Sequence, residues 1–396
     1  MTRTLLSAAC AAVLLTACNS PGSATAAQSA ADTPSVSEDT RRTASNSGKP
    51  FATAEVANFN EPWAMTFLPD GRLLVTEKKG ALKLLDVASG KVGDVSGVPS
   101  VDYGGQGGFG DVVLHPQFVS NGMVYVSFAE AGEADTRGGA VARGKLTLDA
   151  TGGGTLSDVH IIWRQVPKVA GRGHFGHRIA FGPDGKLWIT SGEREKFTPA
   201  QDMATNLGKL IRLNDDGTAP VDNPFAKDGG VATQVWSLGH RNLLGIAFDA
   251  QGTLWTHEMG PKGGDELNRI ERGANYGYPV VSNGDHYDGR DIPDHSTQPQ
   301  YNAPEASWTP VISPAGFIIY SGLQFPNWQG DGFIGGLSSK ALIRVEFSGM
   351  TAREAQRFDM GARIREVEQG PDGAIWVLED ENKGSQGRLL KLTPAS

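Results

Sequence analysis

The sequence predicts an all-β fold, a six-bladed β-propeller with four-stranded antiparallel blades. Three observations predict it: a hairpin motif recurs along the chain, its turns hold Asp-Gly or Asn-Gly pairs, and the 396 residues include 52 glycines and 8 tryptophans. Such a composition favours many short strands joined by tight turns, and a recurrent unit of tens of residues is the mark of a repeat architecture.

The motif is plainest in FLPDGRLLVTE (67–77), FGPDGKLWITSGE (181–193), FDAQGTLWTHE (248–258) and GPDGAIWVLED (370–380). Each runs from a strand end through an x-Gly turn into an apolar strand that stops at an acidic residue. Weaker copies, LHPQFVSNGMVYVSF (114–128) and FPNWQGDGFIGGL (325–337), bring the number to six. Asp-Gly and Asn-Gly supply the positive φ of two-residue hairpin turns. Alternation such as Leu187-Trp188-Ile189 fits a strand with two different faces. About 345 folded residues shared among six units give roughly 57 each, slightly long for a four-stranded blade plus one generous loop. A pair of β-sandwiches also accommodates the strands but leaves the recurrent polar terminus unexplained. Spacing is uneven between 258 and 325, which places functional insertions there.

Residues 1–18, MTRTLLSAACAAVLLTAC, combine Arg3, an apolar run from Leu5 to Leu15 and small residues before Cys18, the pattern of an export signal. Leu15-Thr16-Ala17-Cys18 also resembles a bacterial lipobox, implying cleavage before Cys18, a lipid on its sulfur and a periplasmic, membrane-anchored lipoprotein. Ordinary signal-peptidase cleavage is the alternative. With Cys10 lost in the signal, the mature chain keeps one modified cysteine and forms no disulfide. Residues 19–48 are rich in Ala, Ser, Thr, Gly and Pro and bury too little to offset ordering entropy; they are predicted to be a flexible tether. The propeller spans 50–396. The formal net charge of −8 argues against a nucleic-acid partner, which wants a basic stripe.

Four constellations carry chemistry. His174 lies in the Gly-rich stretch GRGHFGHRIAFGPDG (171–185), just before a repeat strand, so it projects from one end of the propeller as a candidate base or as a surface histidine. His177, three residues on, makes a weak zinc pair without a third ligand nearby. In YGGQGGFGDVVLHP (103–116), glycines flank Gln106, so the backbone can approach a ligand while one amide side chain bonds it; an inter-strand turn is the plainer reading. Arg241 with Asn242, Lys340, and the pair Arg363 and Arg365 fall in loops or first strand positions of an acidic protein. Arg363 and Arg365 point the same way from an extended segment and can face one anion together, though each alone reads as solvated charge. In HEMGPKGGDELNRIERGANYGYP (257–279), the Gly-Pro turn exposes carbonyls and Asp265 and Glu266 add carboxylates, a set suited to calcium.

Taken in order, QGG at 106–108, GHFGHR at 173–178, GHRN at 239–242, EMGPKGGDE at 258–266, NYGYP at 275–279 and RIRE at 363–366 resemble the soluble quinoprotein sugar dehydrogenases. The chain is similar to the pyrroloquinoline quinone (PQQ)-dependent aldose sugar dehydrogenases of the glucose/sorbosone dehydrogenase family, over about residues 55–393. The resemblance implies a six-bladed propeller that binds PQQ and Ca²⁺ and oxidises an aldose at C1 to a lactone. It makes His174 the general base. Gln106, Gln201, Arg241, Asn242, Asp265, Lys340, Arg363 and Arg365 line the quinone site, Gln201 less securely because a loop of variable length precedes it. Gly260 and Pro261 give carbonyls to the quinone-bound calcium, and Glu266 with the main chain of Tyr276 holds a second ion. Partners so implied are an aldose, an external electron acceptor such as a quinone, cytochrome or dye, and a lipid anchor, in a monomer or homodimer.

The sequence departs from the glucose enzymes at Gly173, where they carry an acidic residue, at Met259 in place of glutamine, and at Val311 in place of threonine. These changes favour the broader aldose branch. Rival readings are a same-fold quinoprotein acting on sorbosone or a sugar alcohol, a calcium-dependent lactonase, and a non-enzymatic binding propeller. The cluster Arg241, Lys340, Arg363 and Arg365 speaks against the lactonase, because metal-assisted hydrolysis needs no set of cations for three carboxylates.

Overall fold

Each strong copy of the motif forms its hairpin, but through a three-residue loop with positive φ at the glycine alone, in place of the two-residue turn expected. Leu68 and Arg72 close the first turn, with Leu68 N–H donating to Arg72 O at 2.7 Å and Gly71 N–H to Leu68 O at 2.9 Å. Matching bonds run from Gly182 N–H to Lys186 O, Asp249 N–H to Thr253 O and Gly370 N–H to Ala374 O, at 2.9, 3.0 and 2.9 Å. In the two weaker copies the connection contains a one-turn helix, Phe118–Asn121, or a 3₁₀ turn, Pro326–Trp328.

The computed structural model describes residues 48–395. The export signal, Cys18 and all but the last residue of the tether lie outside the described residues. Within them the strands are β1 (Phe51–Asn58), then the meander β2 (Pro62–Phe67), β3 (Leu73–Glu77), β4 (Ala81–Asp86) and β5 (Lys91–Ser96). A second meander is β6 (Phe109–Leu114), β7 (Met123–Ala131), β8 (Arg137–Leu148) and β9 (Gly154–Arg164). Three more follow: β10 (Gly176–Phe181) to β13 (Val235–Leu238) through β11 (Leu187–Ser191) and β12 (Lys209–Leu213); β14 (Leu243–Phe248) to β17 (Ala306–Trp308) through β15 (Leu254–Glu258) and β16 (Asp265–Arg269); β18 (Pro314–Ile319) to β21 (Thr351–Asp359) through β19 (Gly332–Gly336) and β20 (Ala341–Ser348). The last sheet is β22 (Ile364–Gln369), β23 (Ile375–Glu379) and β24 (Arg388–Pro394), completed by β1 from the other end of the chain.

Four of the resulting sheets are four-stranded, and the first two meanders join into one eight-stranded sheet through a short parallel pairing of Val95 with Gly154 and Ser96 with Thr155. First strands of successive meanders lie side by side, β2 by β6, β6 by β10, β10 by β14, β14 by β18, β18 by β22 and β22 by β2, which closes a ring. The architecture is all-β, with propeller-like sheets around an axis.

Every described second strand of the strong motif is buried along its whole length. Its two faces serve two neighbours: Leu187 and Ile189 pack with Tyr125 and Val141 of the preceding sheet, while Trp188 packs with Ile246 and Leu254 of the next. Burial of each such side chain contributes about 1.5–3 kcal/mol. First strands are buried at their starts and partly exposed at their last two residues. Gln106, His174, Arg241 with Asn242, and Arg363 each lie just before a first strand, so the ring carries all of them to one mouth.

Candidate functional site

The acidic residue that ends the repeat strand is what ties down the mouth. Glu77 accepts the N–H of Asn60 at 2.7 Å, Glu258 accepts that of Arg241 at 2.5 Å, and Glu379 accepts Arg388 Nη2 at 2.6 Å. In the sheet of His174 the equivalent residue is Glu193. Its Oε1 lies 2.5 Å from His174 Nδ1, and its Oε2 accepts the N–H groups of Lys196 and of Phe197, the latter at 2.6 Å. Burial pushes the Glu193 carboxyl up, but the bond from His174 and those of the loop amides prevail and hold it below the usual carboxylate range. An ionised acceptor on Nδ1 assigns the ring proton to Nδ1 and leaves the Nε2 lone pair free.

Backbone geometry fixes the same histidine. His174 has φ 47°; its N–H donates to Gln106 Oε1 at 2.9 Å, and its carbonyl accepts Arg194 N–H at 3.2 Å. That carbonyl lies 2.1 Å from where a Cβ on Gly192 would sit, so only glycine fits there. Gln106 thus holds His174 by its backbone. The glycines beside Gln106 admit a protein side chain: Arg172 lies against Gly104 and Gly105, its Nη1 donating to Asp102 at 2.6 Å and to Tyr103 O at 3.0 Å.

The cations divide. Arg241 is buried and donates from Nη1 to the carbonyls of Met259 (2.8 Å) and Gly260 (2.7 Å), while Asn242 Oδ1 accepts Gly176 N–H at 3.2 Å. Arg363 and Arg365 do face one anion together, and it belongs to the protein: Asp380 takes Arg363 Nε at 2.9 Å and Arg365 Nη2 at 3.1 Å. Lys78, at the end of β3, donates to Gly105 O at 3.0 Å; burial first, and Arg365 beside it, lower its pKa. Lys340 is exposed at φ 52° and contacts none of this set through a hydrogen bond.

In the Gly-Pro turn, Asp265 works on backbone. It accepts the N–H groups of Gly260 (2.9 Å), Ile312 (2.8 Å) and Ser313 (2.7 Å), and burial raises its pKa to about 6. Glu266 and Tyr276 are linked by an imidazole. His295 Nε2 bonds the Tyr276 carbonyl at 3.0 Å, and its Nδ1 is 4.0 Å from Glu266 Oε1. Gln201 uses its amide on Asn275 and on Tyr278 O, at 2.7–3.0 Å, and so braces the loop beneath Arg241. His257 is packed against Phe317, and burial takes its pKa to about 3. His177 behaves likewise, bonded to Ser127 Oγ at 2.8 Å, and no group of three or more His, Cys, Asp or Glu among the described residues could hold a metal.

Sequence reasoning missed Glu193, Lys78, Arg194 and Asp380. The signal for Glu193 was present, since an acidic residue closes every strong repeat strand, but its partner lies nineteen residues back across a loop.

Three donors in this mouth, Arg241 Nε, Asn242 Nδ2 and Arg365 Nε, are buried with no acceptor among the described residues. The residues present therefore fit a ligand rich in anionic oxygens. Comparison with known proteins gives the same direction. The glucose/sorbosone dehydrogenase family model matches residues 59–391. An aldose sugar dehydrogenase of Escherichia coli, YliI, is 39% identical over 341 residues, 85% of this chain and 90% of the relative. The apo structure of the E. coli soluble aldose sugar dehydrogenase superposes with a TM-score of 0.80 at 37% identity, covering 87% of this chain and all of that one. The PQQ-bound aldose sugar dehydrogenase of Streptomyces coelicolor gives 0.72 at 29% identity, over 87% and 98%. This chain belongs to the glucose/sorbosone dehydrogenase family.

Proposed function

We propose that the protein is a PQQ-dependent dehydrogenase that oxidises aldose sugars at C1 to lactones, with His174 as general base. The observation that carries this reading is the set of orphaned donors on Arg241, Asn242 and Arg365. A buried donor without an acceptor costs about 1–3 kcal/mol, and a tricarboxylate quinone supplies the missing oxygens. A hydrolase reading leaves them unsatisfied.

PQQ, when bound, supplies the acceptor for the hydride leaving C1. His174 Nε2 takes the proton of the C1 hydroxyl, and Glu193 stabilises the imidazolium that results. Arg241, Asn242 and Arg365 hold and orient the cofactor, with Gln106 and Lys78 at the facing loop and Arg363 supporting Arg365 through Asp380. The carbonyls of Gly260 and Pro261 would hold Ca²⁺ beside it, where a hard cation polarises the quinone oxygen. Asp265 shapes that turn through the Gly260 amide.

The proposal takes the eight-stranded sheet as two blades, for a six-bladed ring; the parallel join between its two meanders is only two residues long. The reading includes export, lipidation at Cys18, a periplasmic place and an external electron acceptor. The test is to add PQQ and Ca²⁺ to purified protein and follow dye reduction with glucose and other aldoses. His174→Ala is expected to lose about 10²-fold to 10⁴-fold in turnover while still binding quinone, read by absorbance. Failure of the unsubstituted protein to bind quinone overturns the proposal.

A further inference from the structure

A second carboxylate, that of Glu195, lies against Gly173, the residue before His174, without belonging to the hydrogen-bond relay of that histidine. Gly173 immediately precedes His174, and a Cβ built on it would lie 2.3 Å from Glu195 Oε1, 2.4 Å from the carboxyl carbon and 2.7 Å from Oε2. The Glu195 carboxylate thus takes the volume that a side chain at 173 would fill. It is exposed, and its oxygens meet no donor among the described residues.

Its position is built rather than incidental. Arg194, Glu195 and Phe197 have φ of 63°, 59° and 64°, all in the left-handed region that L side chains avoid. Such backbone persists only where the surroundings over-determine it, and two anchors do so here. Glu193 Oε2 accepts the amides of Lys196 and Phe197. Arg194, fully buried, donates to the carbonyls of Gly171 (2.6 Å), Gly173 (2.7 Å) and Arg137 (2.6 Å), with its guanidinium 3.7 Å over the Phe175 ring. One residue, Glu193, therefore sets both the ring of the base and the loop that displays Glu195. Beyond it, Phe197 stacks on Tyr278, itself beneath Arg241, so the loop that carries Glu195 reaches the same mouth.

We propose that Glu195 is a substrate-positioning residue. Its carboxylate accepts hydrogen bonds from the sugar hydroxyl next to the carbon whose own hydroxyl faces His174, and so selects polyhydroxylated substrates. This rests on the sugar-oxidising reading above. An ionised carboxylate is an acceptor only, so it favours ligands that place donors there. Loss of one charge-assisted bond is worth about tenfold to hundredfold in kcat/KM.

The test is a relocation of the carboxylate, with kcat and KM measured on an aldose and on its 2-deoxy analogue. Glu195→Gly suits the local φ and is expected to raise KM for the aldose about tenfold to hundredfold, with a smaller change in kcat. It is also expected to shrink the preference for the aldose over the deoxy sugar by a similar factor. The double substitution Gly173→Asp with Glu195→Gly returns a carboxylate to that volume and is expected to recover most of both losses. Quinone titration stays at the wild-type value and the thermal midpoint does not fall, which a merely structural role would not predict. Glu195→Gly with unchanged KM and unchanged preference overturns the proposal. Unsubstituted protein that binds no quinone or oxidises no aldose overturns the sugar-oxidising reading, and this one with it.

Discussion

Glu193 must accept protons on both of its oxygens, and this makes it the sharpest probe of the site. Oε2 must accept two amide protons and Oε1 the proton of His174 Nδ1. In Glu193→Gln the side-chain oxygen is claimed by the two amides, so the NH₂ turns to His174 and donates to Nδ1. The imidazole then keeps its proton on Nε2 and has no lone pair for the substrate. Turnover in the reconstituted enzyme is expected to fall about 10²-fold to 10⁴-fold, with quinone binding unchanged. A variant as active as the unsubstituted protein removes Glu193 from the relay. Histidine neighbours are no substitute: His177 and His257 are buried neutral rings inside sheets.

Among the elements, β1 closes the ring. It pairs with β24 from Phe51 opposite Pro394 to Asn58 opposite Arg388, so the two ends of the fold are held by one antiparallel ladder. Phe51 adds a side-chain anchor, 5% exposed and edge-on to Phe358 at 5.2 Å and Trp328 at 6.4 Å. Phe51→Ala is expected to cost about 3–5 kcal/mol in denaturant unfolding, because the aromatic cluster around it cannot collapse into the gap. A loss below about 1 kcal/mol would show that closure does not depend on this contact. The repeat strands show how local chemistry becomes function: their apolar faces pack between sheets, and their acidic ends reach the mouth. Glu193 bonds His174, just before a first strand, whereas Glu258 binds His240 and the Arg241 amide.

For the molecule as a whole, the axis of the ring sets the pH dependence of stability. The cavity there is lined by Asp111, Arg178, Glu366 and Glu368 from three first strands. Arg178 pairs with Glu366 and also lies 3.6 Å from Asp111. Burial raises Glu366 to about 7 and puts Glu368 well above the usual carboxylate range, with Glu366 adding repulsion. Unfolded glutamates titrate near 4.3, about three units below Glu366 in the fold. Between those values the folded state binds more protons, so stability falls as pH rises from about 4.5 to 7. Glu193, held low, acts in the opposite sense: its contribution is present above the unfolded value and is lost as pH falls through its folded one. Lys209, buried and lowered to about 7, recovers some stability as pH rises further, because the unfolded chain then binds the extra proton. His177 and His257, lowered to about 3, act against the axial carboxylates by adding stability as pH rises to about 6.5, so the axial contribution is read from a variant and not from the whole profile. Glu368→Gln is expected to raise the thermal midpoint at pH 7–8 by roughly 1–4 °C and to leave it unchanged at pH 4.5. A Glu368→Gln midpoint that matches the unsubstituted protein at pH 7–8 would contradict this account.

Sequence alone determined the sheets, because turn, strand and strand end are local instructions: Asp-Gly or an equivalent pair, an alternating apolar run, an acidic stop. The order of short motifs also marked His174, Gln106, Arg241, Asn242 and Arg365, which the fold gathers at one mouth. What those groups do there was settled only by tertiary structure, since their partners come from distant segments. The amide of Gln106 crosses 68 residues to hold His174. Arg363 and Arg365, read as facing a ligand anion, share Asp380 from the neighbouring strand end. The glycines beside Gln106 lie against Arg172, and the Tyr276 carbonyl meets the His295 ring, contacts no spacing along the chain announces. A glycine at 173 looks in sequence like the loss of a carboxylate beside the base; in the fold, Glu195 stands in the same volume. Spacing along a chain encodes which way a side chain points, but which charge meets it depends on how the ring closes.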